Sequence, residues 1–169
     1  MLYSFLMKQL QKETKSPAGN TECAVLLMDV VPPIMGRIRR EMRSHRAPGI
    51  SVPQLRTLIF LYRNEGATLS AVADHIGFGL PSMSKTVDAL VDRKLVIRKA
   101  GSGDRRRISL KLSAQGLDVL MQTRSEAEAD LAEALESLTP SQRDGIVEAL
   151  TALGAVFIPG KYLKAKKDV

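Results

Sequence analysis

Leu69 to Leu112, LSAVADHIGFGLPSMSKTVDALVDRKLVIRKAGSGDRRRISLKL, is the stretch that decides the fold. Two short amphipathic patterns flank Gly77 and Gly79. The first places Leu69, Val72, Ala73 and Ile76 at i, i+3, i+4, i+7 spacing, which predicts a helix. The second runs Leu80, Met83, Val87, Leu90, Val91 and leaves Ser82, Ser84, Lys85, Thr86 and Arg93 off its apolar stripe. Helix, glycine-bearing turn, helix is the shape that lets one helix lie in a DNA major groove. A hairpin follows at once. Val96 to Ala100 leads into Gly101-Ser102-Gly103-Asp104, a turn-rich tip. The return strand alternates, with Ile108, Leu110 and Leu112 on one face and Arg107, Ser109 and Lys111 on the other. A two-stranded ribbon in this position is a wing, and its basic tip suits a phosphate backbone or a minor groove.

Working outward, Ser51-Val52-Pro53-Gln54 predicts a helix start: a serine cap, a first-turn proline and a glutamine closing a capping box. Ile50 and Leu55 stand at the hydrophobic-staple positions. That helix is expected to bury Leu55, Leu58, Ile59 and Tyr62 and to stop near Asn64–Gly66. Upstream, a helical pattern begins at Thr21. Pro32 and Pro33 remove amide donors, so a kink or restart is expected near Val31. Arg37, Arg39, Arg40, Arg43 and Arg46 then read as a solvated basic face. Residues 1–20 end in a Ser-Pro-Ala-Gly-Asn run and read as an arm with a linker.

Downstream, Ser113 caps a long helix carrying Leu117, Leu120, Met121, Leu131, Leu135 and Leu138, in which Gly116 is read as only a local weakness. Thr139-Pro140-Ser141-Gln142 repeats the cap and starts a last helix with Ile146, Val147, Leu150, Leu153 and Phe157. Such helices at both chain ends need something to bury against, and a second subunit is the economical answer. The expected architecture is mainly α with a small β-hairpin wing. A winged helix-turn-helix lobe spans 50–112, helical dimerisation segments span 21–47 and 113–163, and a basic tail covers 164–169.

Charge is distributed unevenly. Residues 51–112 carry eleven Lys/Arg against five Asp/Glu, whereas 113–158 carry only Arg124 and Arg143 against eight acids. A basic middle beside an acidic segment is the asymmetry of a polyanion-binding lobe attached to something else. Aromatic residues are 4% and Trp is absent, which argues against stacking platforms for single strands or RNA. The single cysteine makes no internal disulfide, Leu2 to Met7 is too short for a signal core, and no run approaches the roughly 20 apolar residues of a membrane span. A cytoplasmic protein without membrane partners is expected.

Several residues carry a resemblance. Ile50-Ser51-Val52-Pro53-Gln54-Leu55-Arg56, Leu69-Ser70-Ala71-Val72-Ala73 and Val87-Asp88-Ala89-Leu90-Val91 occur in the order seen in the MarR family of bacterial transcriptional regulators. Leu95-Val96-Ile97-Arg98, then Asp104-Arg105-Arg106, then Leu110 to Gly116, resembles that family's wing and the start of its fifth helix. The resemblance implies a homodimer on pseudo-palindromic double-stranded DNA, mostly a repressor, released by a small aromatic or phenolic effector. It places a recognition helix on Pro81 to Arg93, where the hydroxyls of Ser82, Ser84 and Thr86 and the cation Lys85 are of the chemical type that faces base edges and phosphates. It places Arg105, Arg106 and Arg107 on the wing, with Asp104 orienting Arg106. The effector pocket is implied among 28–42, 55–62 and 113–121. Lys94 stands where the family often has glycine.

No catalytic constellation emerges. Gly101-x-Gly103 lacks the strand-to-helix context of a phosphate loop, and no nucleophile elbow is present. His45, His75 and Cys23 show no metal-ligand spacing, so neither a metal nor a cofactor is expected. Cys23 reads as a structural thiol rather than a redox sensor. The competing reading is a winged-helix module that binds protein and not DNA. Three arginines beside a glycine-rich tip argue against it.

Overall fold

Capping chemistry decides where the elements of this chain begin. The structure is a computed structural model and describes residues 19–100 and 108–157, with the Ala100 side chain left aside. The arm before residue 19, the segment 101–107, the end of the downstream dimerisation segment and the basic tail lie outside the described residues. Helix α1 spans Asn20–Ser44, and the chain from Met1 to Arg40 is a unit separate from Glu41 onward. The expected restart near Val31 does not occur: α1 continues through Pro32 and Pro33. Proline's fixed φ is compatible with a helix, and the cost lies in the missing amides. Met28, Asp29 and both prolines are exposed, so the carbonyls deprived of those amides can turn to water.

From Glu41 onward the lobe assembles around α2, Val52–Arg63. Ser51 Oγ accepts from the Gln54 amide and the Gln54 side chain accepts from the Ser51 amide, the reciprocal capping box expected. Ile50 and Leu55 are both buried beside it. The helix turns a slightly different face inward than expected. Leu55, Thr57, Leu58 and Leu61 are buried, Ile59 is half-buried, and Tyr62 is exposed. The central helix meets neighbours on more than one side, which a single stripe of spacing does not describe. Thr57 is fully buried at no polar cost, because its hydroxyl donates to the Pro53 carbonyl at 2.9 Å.

Strand β1, Ala67–Thr68, precedes α3, Leu69–Ile76, whose cap Thr68 accepts from the Ala71 amide at 3.3 Å. Gly77 ends α3 in the left-handed region, φ 79°, where a side chain would be strained. Helix α4, Leu80–Asp92, follows. Val72, Ala73 and Ile76 of α3, and Met83, Val87 and Leu90 of α4, join Leu55, Leu58 and Leu61 in one core. Leu80, expected on the stripe, is exposed at the helix start.

The wing is built from β2, Val96–Ala100, and β3, Ile108–Leu112, antiparallel with Arg98 opposite Leu110. The sheet has a third member that the sequence reading missed: β1 pairs with β3, Ala67 opposite Leu110, in the order β1-β3-β2. Leu95, Val96 and Leu110 root the sheet in the core, while Ile108 at its far end is exposed.

Helix α5, Ala114–Ala134, starts at Ser113, whose Oγ accepts from the Gly116 amide at 2.9 Å. Gly116 is not a local weakness. A Cβ there would stand 2.0 Å from the Leu95 carbonyl oxygen, so glycine is what allows α5 to pack on the wing root. Leu120, Thr123 and Ala127 are its other buried residues. Helix α6, Pro140–Phe157, repeats the capping box through Thr139 and Gln142 and has no buried residue. No helix among the described residues is long and apolar enough to cross a membrane.

Candidate nucleic-acid interface

Complete burial of Met83, Val87 and Leu90 forces the opposite face of α4 outward. Ser82 and Lys85 are exposed there, whereas Ser84 and Thr86 are half-buried. Thr86 Oγ1 donates to the Ser82 carbonyl at 3.0 Å and Ser84 Oγ donates to Asp88 at 3.4 Å. Ser82 and Lys85 are therefore open to solvent, while the hydroxyl protons of Ser84 and Thr86 are already engaged within the helix. Gly79 provides no side-chain cap and Pro81 sits in the first turn. The Leu80 and Ser82 amides are thus left without a side-chain cap at a helix N-terminus, where a phosphate oxygen binds well.

Two connections tie this helix to its surroundings, and neither was read from the sequence. Asp88 of α4 forms an ion pair with Arg98 of β2. A carboxylate on this face would repel phosphates; the Arg98 guanidinium neutralises it and holds the wing strand against the helix. The sign available beforehand was one acid among hydroxyls and a lysine. Arg93, grouped with the outward residues by its spacing, donates its guanidinium to the Pro48 and Gly49 carbonyls and so braces the lead into α2. Lys94 has φ 61°, the conformation that explains glycine's frequency at this place in the resembled family. Asp104, Arg105, Arg106 and Arg107 lie outside the described residues, in the segment joining the paired ends Ala100 and Ile108.

Elsewhere, Cys23 is exposed on α1 and fills no core within its own chain. His75 stands against the Phe60 ring, centroids 4.5 Å apart. Arg46, read as part of a solvated face, donates to the Ile50 carbonyl at 3.0 Å and the Arg43 carbonyl at 2.7 Å. His45 behaves differently from what its spacing implied. It comes together with Glu41 and Asp130, residues able to offer metal ligands. A hydrogen bond donated to the Asp130 carboxylate, opposed by desolvation and aided by the Asp130, Glu126 and Glu41 charges, holds its imidazole above the ordinary histidine range. A cleft of about 270 Å³ opens beside it, lined by residues 44–48 with Val119, Gln122, Thr123 and Glu126. It overlaps the implied effector region only at Val119.

Comparison with known proteins covers the same stretch. The sequence model of the MarR family matches residues 49–107. The HTH-type transcriptional regulator MhqR of Bacillus subtilis is 25% identical over 135 residues, 79% of this chain and 93% of the relative. The transcriptional regulator Tm0710 of Thermotoga maritima superposes with a TM-score of 0.69 at 19% identity, covering 77% of this chain and 92% of that one. The S. aureus MepR F27L mutant bound to an oligodeoxyribonucleotide superposes with a TM-score of 0.53 at 18% identity, covering 79% and 96%. Helix pair, wing and family match fall on one stretch: residues 49–107 match the MarR family, and the chain as a whole is similar to transcriptional regulators of winged-helix fold.

Proposed function

We propose that this chain is a homodimeric, cytoplasmic repressor that reads a pseudo-palindromic operator and releases it on binding a small aromatic or phenolic effector. Helix α4 enters the major groove through Ser82 and Lys85, with Ser84 and Thr86 behind them. The wing lies over the adjoining minor groove, where Asp104 orients Arg106 and Arg105 and Arg107 contact phosphates. The observation that carries this reading is the outward face of α4, coupled by the Asp88–Arg98 pair to strands whose connecting segment holds three consecutive arginines. Few side chains here are able to make bidentate base contacts, so DNA shape supplies much of the specificity. The relative solved with an oligodeoxyribonucleotide supports the DNA reading. The homodimer is supported by α6, whose Ile146, Val147, Leu150, Val156 and Phe157 are all exposed.

The test is fluorescence anisotropy of the full chain on duplexes tiled across the promoter nearest its own gene, in a salt series. The expected outcome is a dissociation constant of about 10⁻⁸ M or tighter on one site, weakening steeply with salt as counterions are released. Absence of duplex binding, or binding indifferent to salt, sinks the reading and leaves a protein-interaction module in its place.

A further inference from the structure

We propose that Glu41, His45 and Asp130 form a binding site for a divalent transition-metal ion, with Glu126 as the residue that positions the imidazole. Glu41 and His45 stand one helical turn apart at the end of α1, with the His45 amide bonded to the Glu41 carbonyl at 3.1 Å. Glu126 and Asp130 stand one turn apart on α5, so each pair presents to one side of its own helix. The four meet around the ring. His45 Nε2 lies 2.7 Å from Asp130 Oδ2, and Nδ1 lies 3.4 Å from Glu126 Oε2. One ligand atom from each of Glu41, His45 and Asp130 falls within 4.8 Å of the others.

Three features of this cluster point to a metal rather than to a surface ion pair alone. The donors are mixed, one imidazole nitrogen with carboxylate oxygens, a set that suits zinc and its first-row neighbours, whereas calcium and magnesium take oxygen ligands. Glu126 faces the nitrogen that a metal on Nε2 would leave protonated, which is the carboxylate–histidine–metal arrangement that fixes tautomer and ring orientation. Glu41 is the only buried charged side chain among the described residues, at 7% exposure, and Ser44 Oγ is 3.5 Å from its carboxylate. The cleft bordered by His45 and Glu126 gives a path for entry and room for water ligands. An ion in place of the shared proton would part Nε2 and Oδ2 by a few tenths of an ångström. It would also draw the widest pair of ligand atoms closer, to bonds of about 2.0–2.2 Å. If the operator-binding reading holds, occupancy becomes an input to DNA affinity; the metal site itself does not depend on that reading.

The experiment uses the full metal-free chain, without DNA, in competition with a chromophoric zinc chelator. One Zn²⁺ per chain is expected, with affinity rising as pH is raised through neutrality because ion and proton compete for Nε2. His45→Ala and Asp130→Asn should each weaken binding at least about tenfold, and Glu126→Gln by roughly 10–100-fold while leaving the stoichiometry at one. Cys23→Ser and His75→Ala should leave it unchanged, and Mg²⁺ should not compete. Circular dichroism of each variant checks the fold. Should His45→Ala fail to fold, Asp130→Asn together with the visible spectrum of bound Co²⁺, which reports nitrogen ligation, decides the matter. Absence of stoichiometric zinc, zinc retained in Asp130→Asn, or zinc lost in Cys23→Ser overturns the proposal. The first outcome would leave the cluster as a proton-linked contact between α5 and the end of α1.

Discussion

Helices α4 and α6 carry similar apolar patterns and meet opposite fates. In α4, Met83, Val87 and Leu90 have no exposure at all. In α6, Ile146 is 39% exposed, Leu150 63% and Phe157 67%, and no residue is buried. The contrast teaches that periodicity states which face seeks burial and says nothing of what will bury it. For α4 the answer lies in the same lobe, in α2, α3 and the wing root. For α6 none of the described residues supplies it. Leaving several large apolar side chains in water forgoes about 1.5–3 kcal/mol each, and an isolated helix of this length is marginal. The lobe is therefore expected to be self-sufficient, and the terminal helix to wait for a partner.

The strongest way to break that contrast is Met83→Ala, expected to cost about 2–5 kcal/mol in urea unfolding because it empties a fully packed site. If Val147→Ala on α6 costs as much at dilute concentration, the two helices are not different in kind. Gly116→Ala comes next, at roughly 1–3 kcal/mol or somewhat more, because its Cβ meets the Leu95 backbone and not a movable side chain. A cost near zero would show that the α5–wing contact is looser than drawn. Leu150→Asp, at an exposed position, should leave the far-ultraviolet spectrum intact and weaken self-association by at least about tenfold, roughly 1.4 kcal/mol. Light scattering showing an undiminished dimer would move the interface elsewhere. Lys94→Gly should stabilise the lobe by about 0.5–1 kcal/mol by removing a strained left-handed lysine, read as a higher urea midpoint. The smallest effect on stability belongs to Arg98→Ala, about 0–1 kcal/mol for an exposed pair. Its larger consequence should be weaker operator binding, since Asp88 would then face phosphates unneutralised.

Local chemistry was legible in the sequence wherever one short segment decides the outcome. Ser51 and Gln54 announced their capping box, Thr139 and Gln142 theirs, and the α3–turn–α4–hairpin order was readable from spacing and glycines. The failures share a cause. Tyr62 was placed inward where Leu61 is buried, because several neighbours, and not one stripe, choose the face of a central helix. Gly116 looked like a flaw because the Leu95 carbonyl pressing on it is far away in sequence. The two-residue β1 is too short to show alternation and exists only because β3 passes beside it. Asp88–Arg98 and His45–Asp130 are partnerships across ten and eighty-five residues, for which a spacing rule has no reach.

By itself, then, the sequence determined the capped helix starts, the winged helix-turn-helix order, the basic character of the lobe and the MarR resemblance, because each rests on side chains within a few residues of one another or on net charge. The tertiary structure alone decided which of the four α4 candidates face outward, how α4 is tied to the wing, and that His45 stands among Glu41, Glu126 and Asp130. Those outcomes depend on which face each helix buries and on what the neighbouring backbone brings within bonding distance, and packing settles both only when the whole lobe closes.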